Sequence, residues 1–366
     1  MRLHQPQFED IAPSLRPASD PSGALSGIAV DGLGYWGPNW VRNLCQTHAA
    51  KRLICCDLSA ERRQRIQQLY PSVEATDSLE EVLDDPDIEG VIVATPVDTH
   101  YAIARRCLDS DKSVLVEKPL ATSQKDAADL VARARDHGKV LMVGHTFEYS
   151  APVLKIRDII RSGELGDVLY LSSIRANLGL FQRDVNVVWD LATHDISIML
   201  MLLGRMPERV SCHGNSHYAV GEEDVALLTM SFPNNVMGFV HVSWLDPNKI
   251  RQMTIVGSRK MLVYDDTAPQ EKLRIYDKGV NVSRYYDTYG EFQFSYRYGD
   301  INIPRIEEHE PLKIECEHFV SCVKSSGTPV TDGLNGLRVV TVLEAANKSL
   351  RSGGPPLQMD GALALA

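Results

Sequence analysis

Short apolar runs alternate with amphipathic stretches from Gly27 to Val143. Five runs read as strands: Gly27–Val30, Leu53–Cys56, Val91–Ala94, Val114–Val116 and Val140–Val143. Each is nearly continuous in apolar residues, the signature of a strand buried on both faces. Helix-period stretches lie between them, at Pro38–Thr47, Ala60–Tyr70, Thr99–Asp109 and Ala127–His137, the last stopping at Gly138. Pro38 suits a first helical turn, Ser59 a cap, and Ser78-Leu79-Glu80-Glu81 has capping-box spacing for a further short helix. Strands and helices in this alternation predict a parallel, doubly wound α/β sheet.

The pattern then changes. After one helix near Pro152–Ser162, strand-like runs follow at Leu169–Ile174, Arg209–His213, Val225–Phe232, Val236–Trp244, Met253–Val256, Met261–Tyr264 and Leu273–Tyr276. Pro233-Asn234-Asn235 is a hairpin signal between two of them. Strands that follow one another without helices predict an open, mainly antiparallel sheet. Two helices, near Leu312–Ser325 and Leu334–Leu350, close the chain. The expected domains are an N-terminal extension over residues 1–25, a Rossmann domain over 26–148, and a substrate and oligomerisation domain over 149–366. Within the last, the tyrosine-rich stretch Tyr276–Tyr298 reads as a strand, with Phe292, Phe294, Tyr296 and Tyr298 alternating.

Composition narrows the partners. The 366 residues carry a formal net charge of -10 and no basic run, which argues against nucleic acid. No apolar run approaches the ~18–20 residues that span a bilayer. Residues 1–26 hold four prolines and no apolar core of a secretory signal, so they read as a flexible extension, an oligomer arm being one use. The seven cysteines form no C-x-x-C, and several sit inside apolar runs, so free buried thiols in a reducing, cytoplasmic setting are expected. His213 and His217 have metal-like spacing, but Gly214 and Asn215 between them argue against the helix it requires, and no metal is expected.

The strand ends carry the chemistry. Gly32-Leu33-Gly34-Tyr35-Trp36-Gly37 is a G-x-G-x-x-G placed after a predicted strand and before a predicted helix. In that context the glycines allow a tight turn, close backbone approach to a pyrophosphate, and tight helix packing. Asp57 ends the second strand, twenty positions after Gly37, where a carboxylate accepts from both ribose hydroxyls of NAD and repels the 2′-phosphate of NADP. Thr95-Pro96 and Glu117-Lys118-Pro119 end two further strands and border the same crevice.

With Asp190-x-x-x-His194, these motifs resemble the Gfo/Idh/MocA oxidoreductase family, from about Gly27 to Pro356. Gly34-Tyr35-Trp36-Gly37-Pro38-Asn39 is similar to members that oxidise nucleotide-linked or antibiotic sugars. The resemblance implies a Rossmann domain followed by an α/β domain whose open sheet is often an oligomer interface, here a dimer or tetramer. It also implies a cis Lys118–Pro119 peptide and catalytic positions at Lys118, Asp190 and His194. Thr193 departs from the pattern, since relatives often carry proline before the histidine, and the N-terminal extension lies outside it.

Hydride transfer from a carbinol needs a proton acceptor and a group that holds the oxygen. Lys118 at a strand end fits the first, with Pro119 excluding the helical region before it. Asp190 and His194, four apart, share a face if helical, and His194 suits proton exchange near neutrality. Arg175, Asn177 and Tyr149 are expected near the domain seams, as readers of sugar hydroxyls. The expected function is NAD-dependent oxidation of a secondary hydroxyl on a sugar-like substrate: a nucleotide sugar, an amino sugar or a cyclitol. An NAD-dependent glycosidase and a non-catalytic NAD-binding regulator are the alternatives.

Overall fold

A computed structural model describes residues 24–179, 181, 185–218, 222–281 and 295–359. The expectations for the N-terminal extension up to residue 23, and for Phe292 and Phe294, lie outside the described residues. By its internal contacts the chain divides into two units, one up to Thr146 with Glu310–Leu337, the other Phe147–His309 with the chain from Arg338 on.

The first unit holds six parallel strands, β1 (Leu25–Asp31), β2 (Ala50–Cys56), β3 (Glu74–Thr76), β4 (Ile88–Val93), β5 (Ser113–Glu117) and β6 (Leu141–Gly144). Their order is β3-β2-β1-β4-β5-β6, so the connections reverse direction between β1 and β4. That reversal is where a doubly wound sheet opens a ligand crevice. The helices are α1 (Gly37–Thr47), α2 (Ala60–Leu69), α3 (Leu79–Asp84), α4 (Val97–Asp109) and α5 (Gln124–Asp136). Ser59 and Ser78 cap α2 and α3, accepting from the backbone N–H of Arg62 and Glu81. The capping box at Ser78 is half-formed, because the Glu81 carboxylate accepts from the Thr76 hydroxyl at 2.6 Å.

Residues 310–337, which the sequence pattern groups with the second domain, pack with the first unit. Helix α8 (Pro311–Ser325) lies against α1, and Phe319 fills the space a side chain at Gly90 would need. Thr331 closes the edge of β6, with its carbonyl accepting from Val143 N–H and its hydroxyl donating to Val143 carbonyl, both at 2.8 Å.

The second unit is built on nine strands: β7 (Val168–Leu178), β8 (Arg209–Asn215), β9 (Val225–Phe232), β10 (Val236–Ser243), β11 (Leu245–Gly257), β12 (Met261–Asp265), β13 (Leu273–Asn281), β14 (Ser295–Asn302) and β15 (Leu357–Gln358). Their order is β14-β13-β12-β11-β7-β10-β9-β8-β15, antiparallel except for the β7–β10 pair. The Pro233–Asn235 turn joins β9 to β10, with Asn234 and Asn235 both in the left-handed region that asparagine tolerates. Burial alternates along β9 and β10: Leu228, Met230, Val240 and Val242 face inward, while Leu227, Phe239 and His241 are more open. The apolar helix α7 (Thr193–Leu203) packs against β10 and helix α6 (Ala151–Arg161) against α7, which stops at Gly204 with φ +62°. Helix α9 (Gly333–Arg351) precedes β15.

All seven cysteines are free thiols, six of them buried. Among the described residues no helix is long and apolar enough to cross a membrane. His217, one of the two histidines with metal-like spacing, has its Nδ1 2.7 Å from the buried Asp224 carboxylate.

Candidate active site

Three glycines shape the turn after β1, each for a different reason. Gly32 has φ +95°, and a Cβ there would stand 2.6 Å from the Ala94 carbonyl oxygen. At Gly37 a Cβ would stand 2.0 Å from the Gly32 carbonyl oxygen, so α1 starts against the turn itself. Gly34 meets nothing within 4 Å. An open backbone position between two closed ones, at a helix N-terminus, is the cradle a pyrophosphate requires. Tyr35 and Trp36 stand on this loop, 81% and 38% exposed, with their rings edge to face.

Asp57 follows β2 and is buried. Its two oxygens accept from the backbone N–H groups of Leu33 and Ser59, each at 2.7 Å. The Leu33 bond ties this carboxylate to the glycine turn, so a ribose held by Asp57 and phosphates held by the turn are fixed together. Asp31, which ends β1 beside Gly32, is also buried; desolvation raises its pKa to about 6, with the Asp57 charge adding to the rise.

Thr95 and Lys118 end neighbouring strands, and His100 links their loops. Its ring nitrogens lie 2.8 Å from the Pro119 carbonyl and 3.0 Å from the Thr95 carbonyl. Burial lowers its pKa, and the two carbonyl contacts oppose that fall. The Lys118–Pro119 peptide is cis. Glu117 points into the core: Trp40 Nε1 donates to it at 2.7 Å and the Lys118 N–H at 3.2 Å, while burial raises its pKa. Glu117 therefore anchors the Lys118 backbone from beneath. Pro96 precedes α4 and Thr99 Oγ donates to its carbonyl at 2.7 Å.

In the second unit, Asp190 lies in a single π-helical turn, Val188–Ala192, that runs into α7. Such turns are frequent at functional sites because they widen the helix locally. The turn is held at both ends: Asn186 Oδ1 accepts from Trp189 N–H at 3.2 Å, and Thr193 Oγ donates to the Trp189 carbonyl at 2.5 Å. This gives Thr193 a defined role. Trp244, fully buried, donates from Nε1 to Asp190 Oδ2 at 3.1 Å.

His194 is the second residue of α7 and is half-buried. Its ring meets Phe147 at 4.9 Å between centroids, tilted by 62°. The Arg175 guanidinium lies over the same Phe147 ring, 4.7 Å from its centroid. Arg175 is itself buried and paired with Asp195, the residue after His194, through Nε at 2.7 Å. Ser173 Oγ donates to the other Asp195 oxygen at 2.6 Å. The stack closes on itself, since the helix that presents His194 also supplies the carboxylate that holds Arg175.

Of the three residues expected to read hydroxyls, Arg175 is thus committed to Asp195, and Tyr149 is fully enclosed at 0% exposure. Asn177, near the end of β7, is half-buried. His100, Phe147 and Trp244 stand in these clusters and His145 follows β6, none of them singled out from the sequence. For His145 a signal existed: it follows the run Val140–Val143, the strand-end position that identified Thr95 and Lys118.

A parallel doubly wound sheet with a glycine cradle and a carboxylate after its second strand defines a dinucleotide-binding Rossmann fold. The family model for the NAD-binding Rossmann fold of the Gfo/Idh/MocA oxidoreductases matches residues 26–145, and that for the family's C-terminal domain matches 153–263. The chain belongs to this family, and its first matched segment is the NAD-binding domain. It is 26% identical over 345 residues to scyllo-inositol 2-dehydrogenase (NAD(+)) of Bacillus subtilis, covering 91% of this chain and 96% of that one. Myo-inositol 2-dehydrogenase of Thermotoga maritima is 23% identical, with 88% and 96% covered. Among solved structures, GenD2 from gentamicin A biosynthesis in complex with NAD superposes with TM-score 0.78 at 22% identity, covering 93% of this chain and 98% of that one. UDP-N-acetylglucosamine 3-dehydrogenase GnnA from Acidithiobacillus ferrooxidans gives 0.74 at 21%, with 89% and 97% covered.

Proposed function

We propose that this protein is an NAD-dependent dehydrogenase that oxidises a secondary hydroxyl on a sugar-like substrate, with Lys118 and His194 carrying the proton chemistry and Asp190 orienting the substrate. The observation that carries the reading is Lys118 at the carboxyl end of β5, anchored from beneath by Glu117 and linked through His100 to the Thr95 turn. When bound, NAD supplies the hydride acceptor. Gly32, Gly34 and Gly37 receive its phosphates, with Tyr35, Trp36, Thr95, Pro96 and Glu117 shaping their surroundings, and Asp57 receives the adenosine ribose.

Lys118 accepts the hydroxyl proton as the carbon loses hydride. His194 exchanges protons with the substrate oxygens, and its ring orientation follows from the Phe147 contact. Asp190, steadied by Trp244, hydrogen-bonds a neighbouring hydroxyl. Asn177 is kept as a substrate contact. Arg175 and Tyr149 are assigned support of the site instead, on their pairing and burial. The names of the inositol and sugar dehydrogenases it resembles favour a cyclitol or sugar over other alcohols. The preferred cofactor is NAD, the protein works as a homo-oligomer, and its compartment is the cytoplasm.

The test is an NADH absorbance screen over inositols, free sugars, amino sugars and nucleotide sugars. Stoichiometric NADH with a released keto product supports the reading. No turnover across all four groups, with NAD bound, contradicts it.

A further inference from the structure

His145 is a buried histidine that the proposed acid–base chemistry does not use. It follows β6 directly, and Gly144, the last residue of β6, pairs with Glu117, the last of β5. Lys118 and His145 are therefore the first residues beyond the ends of two adjacent strands, on the edge where a doubly wound sheet receives its ligand. The imidazole is 1% exposed, and among the described residues neither ring nitrogen has a hydrogen-bond partner. Burying a polar ring with both nitrogens unsatisfied is costly, and native structures rarely leave such a group without a reason. The neighbouring hydroxyl does not serve it, because Thr146 Oγ donates to Glu315 at 2.7 Å.

We propose that His145 receives the carboxamide of the nicotinamide ring of bound NAD. This rests on the reading of Lys118 as the residue beside the reacting carbon. The carboxamide is the one polar substituent on that ring, and it offers both donors and an acceptor. A neutral imidazole offers one of each and can answer either. The ring is held neutral, because burial first and the Lys118 charge second push its pKa down to about 3. A group so hard to protonate is a poor proton carrier near neutrality and a good fixed hydrogen-bonding partner. His145 is thus a cofactor-positioning residue that sets the rotation of the nicotinamide and so the face shown to substrate.

The experiment measures binding without substrate, by calorimetry, on the full chain. NADH is compared with ADP-ribose, which lacks the nicotinamide, for the wild type, His145→Phe and His145→Gln. His145→Phe is expected to bind NADH about three- to tenfold more weakly, the range one hydrogen bond supplies, with ADP-ribose affinity unchanged. His145→Gln, which keeps a donor and an acceptor, is expected within about twofold of wild type for both. Equal NADH affinity in wild type and His145→Phe overturns the proposal, and so does an equal loss for NADH and ADP-ribose. If His145→Phe does not fold, the wild type gives the answer with nitrogen-15 histidine. NADH must then shift the His145 ring resonances and ADP-ribose must not, and the absence of a shift with NADH overturns the assignment. Neither readout involves turnover, so failure here is distinct from failure of the acid–base assignment to Lys118 and His194.

Discussion

Asp57 has both carboxylate oxygens engaged by backbone N–H groups, one of them from the glycine turn. A carboxylate held this rigidly is a good acceptor for a ribose diol and a fixed negative charge against a 2′-phosphate. NAD should therefore bind more tightly than NADP in calorimetry, and Asp57→Ala should narrow the difference. Equal affinities in the wild type would remove the assignment. Asp31 makes a separate claim about pH. Its folded pKa of about 6 lies above the ordinary 3.8, chiefly through desolvation. The sign follows: the folded state binds the proton more tightly, so its contribution is full below 3.8 and is lost as pH rises through about 6. By pH 7 the loss is about 3 kcal/mol. Asp31→Asn should raise the melting temperature at pH 7 to 8 and flatten its fall between pH 4 and 6. An unchanged pH profile would contradict this.

At the scale of elements, what was legible was local. The caps at Ser59 and Ser78, the turn at Pro233–Asn235, the stop at Gly138 and the glycine turn after β1 each depend on a few adjacent residues, and the sequence displays them. What was hidden depends on distant partners. Arg175 looked like a polar residue open to substrate, because nothing near it in sequence announces Asp195, twenty positions on. The π-helical turn at Val188–Ala192 leaves no mark in the apolar period, and β15 is too short to carry one. The return of residues 310–337 to the first unit rests on α8 packing against α1 and on Thr331 bonding Val143 across 188 positions. The Arg175–Asp195 pair also predicts a stability effect. Arg175→Met leaves Asp195 buried without its cation, which typically costs about 3–5 kcal/mol. Thermal unfolding should show a large drop, and the double change Arg175→Met with Asp195→Leu should recover much of it. A negligible effect of the single change would refute this account of the stack.

At the scale of the whole molecule, helix α7 packs against one face of the nine-stranded sheet among the described residues, and a second face lies opposite it. The second carries Leu227 and Tyr170, both substantially exposed, beside the half-buried Ile174 and Phe239. Apolar residues in that number on an open sheet favour cover by a second copy. Light scattering at micromolar concentration should report a dimer or tetramer, and a monomer alone would contradict the proposal. The alternation of strand and helix was readable because it repeats over many residues. The substrate was not readable, because specificity rests on a few side chains whose partners are set by folding.

The central claim, that Lys118 and His194 move the protons of a dehydrogenation, is tested most directly by single-turnover NADH formation. The substrate is the one identified in the absorbance screen, and the comparison is of wild type with Lys118→Ala and His194→Ala. Removing one positioned acid–base group typically lowers the rate by about 10²–10⁴. Both variants are predicted to lose that much while binding NAD within about twofold of wild type, since neither side chain is assigned to the phosphates or the ribose. Near-wild-type rates in both variants would place the proton carrier elsewhere and contradict the account.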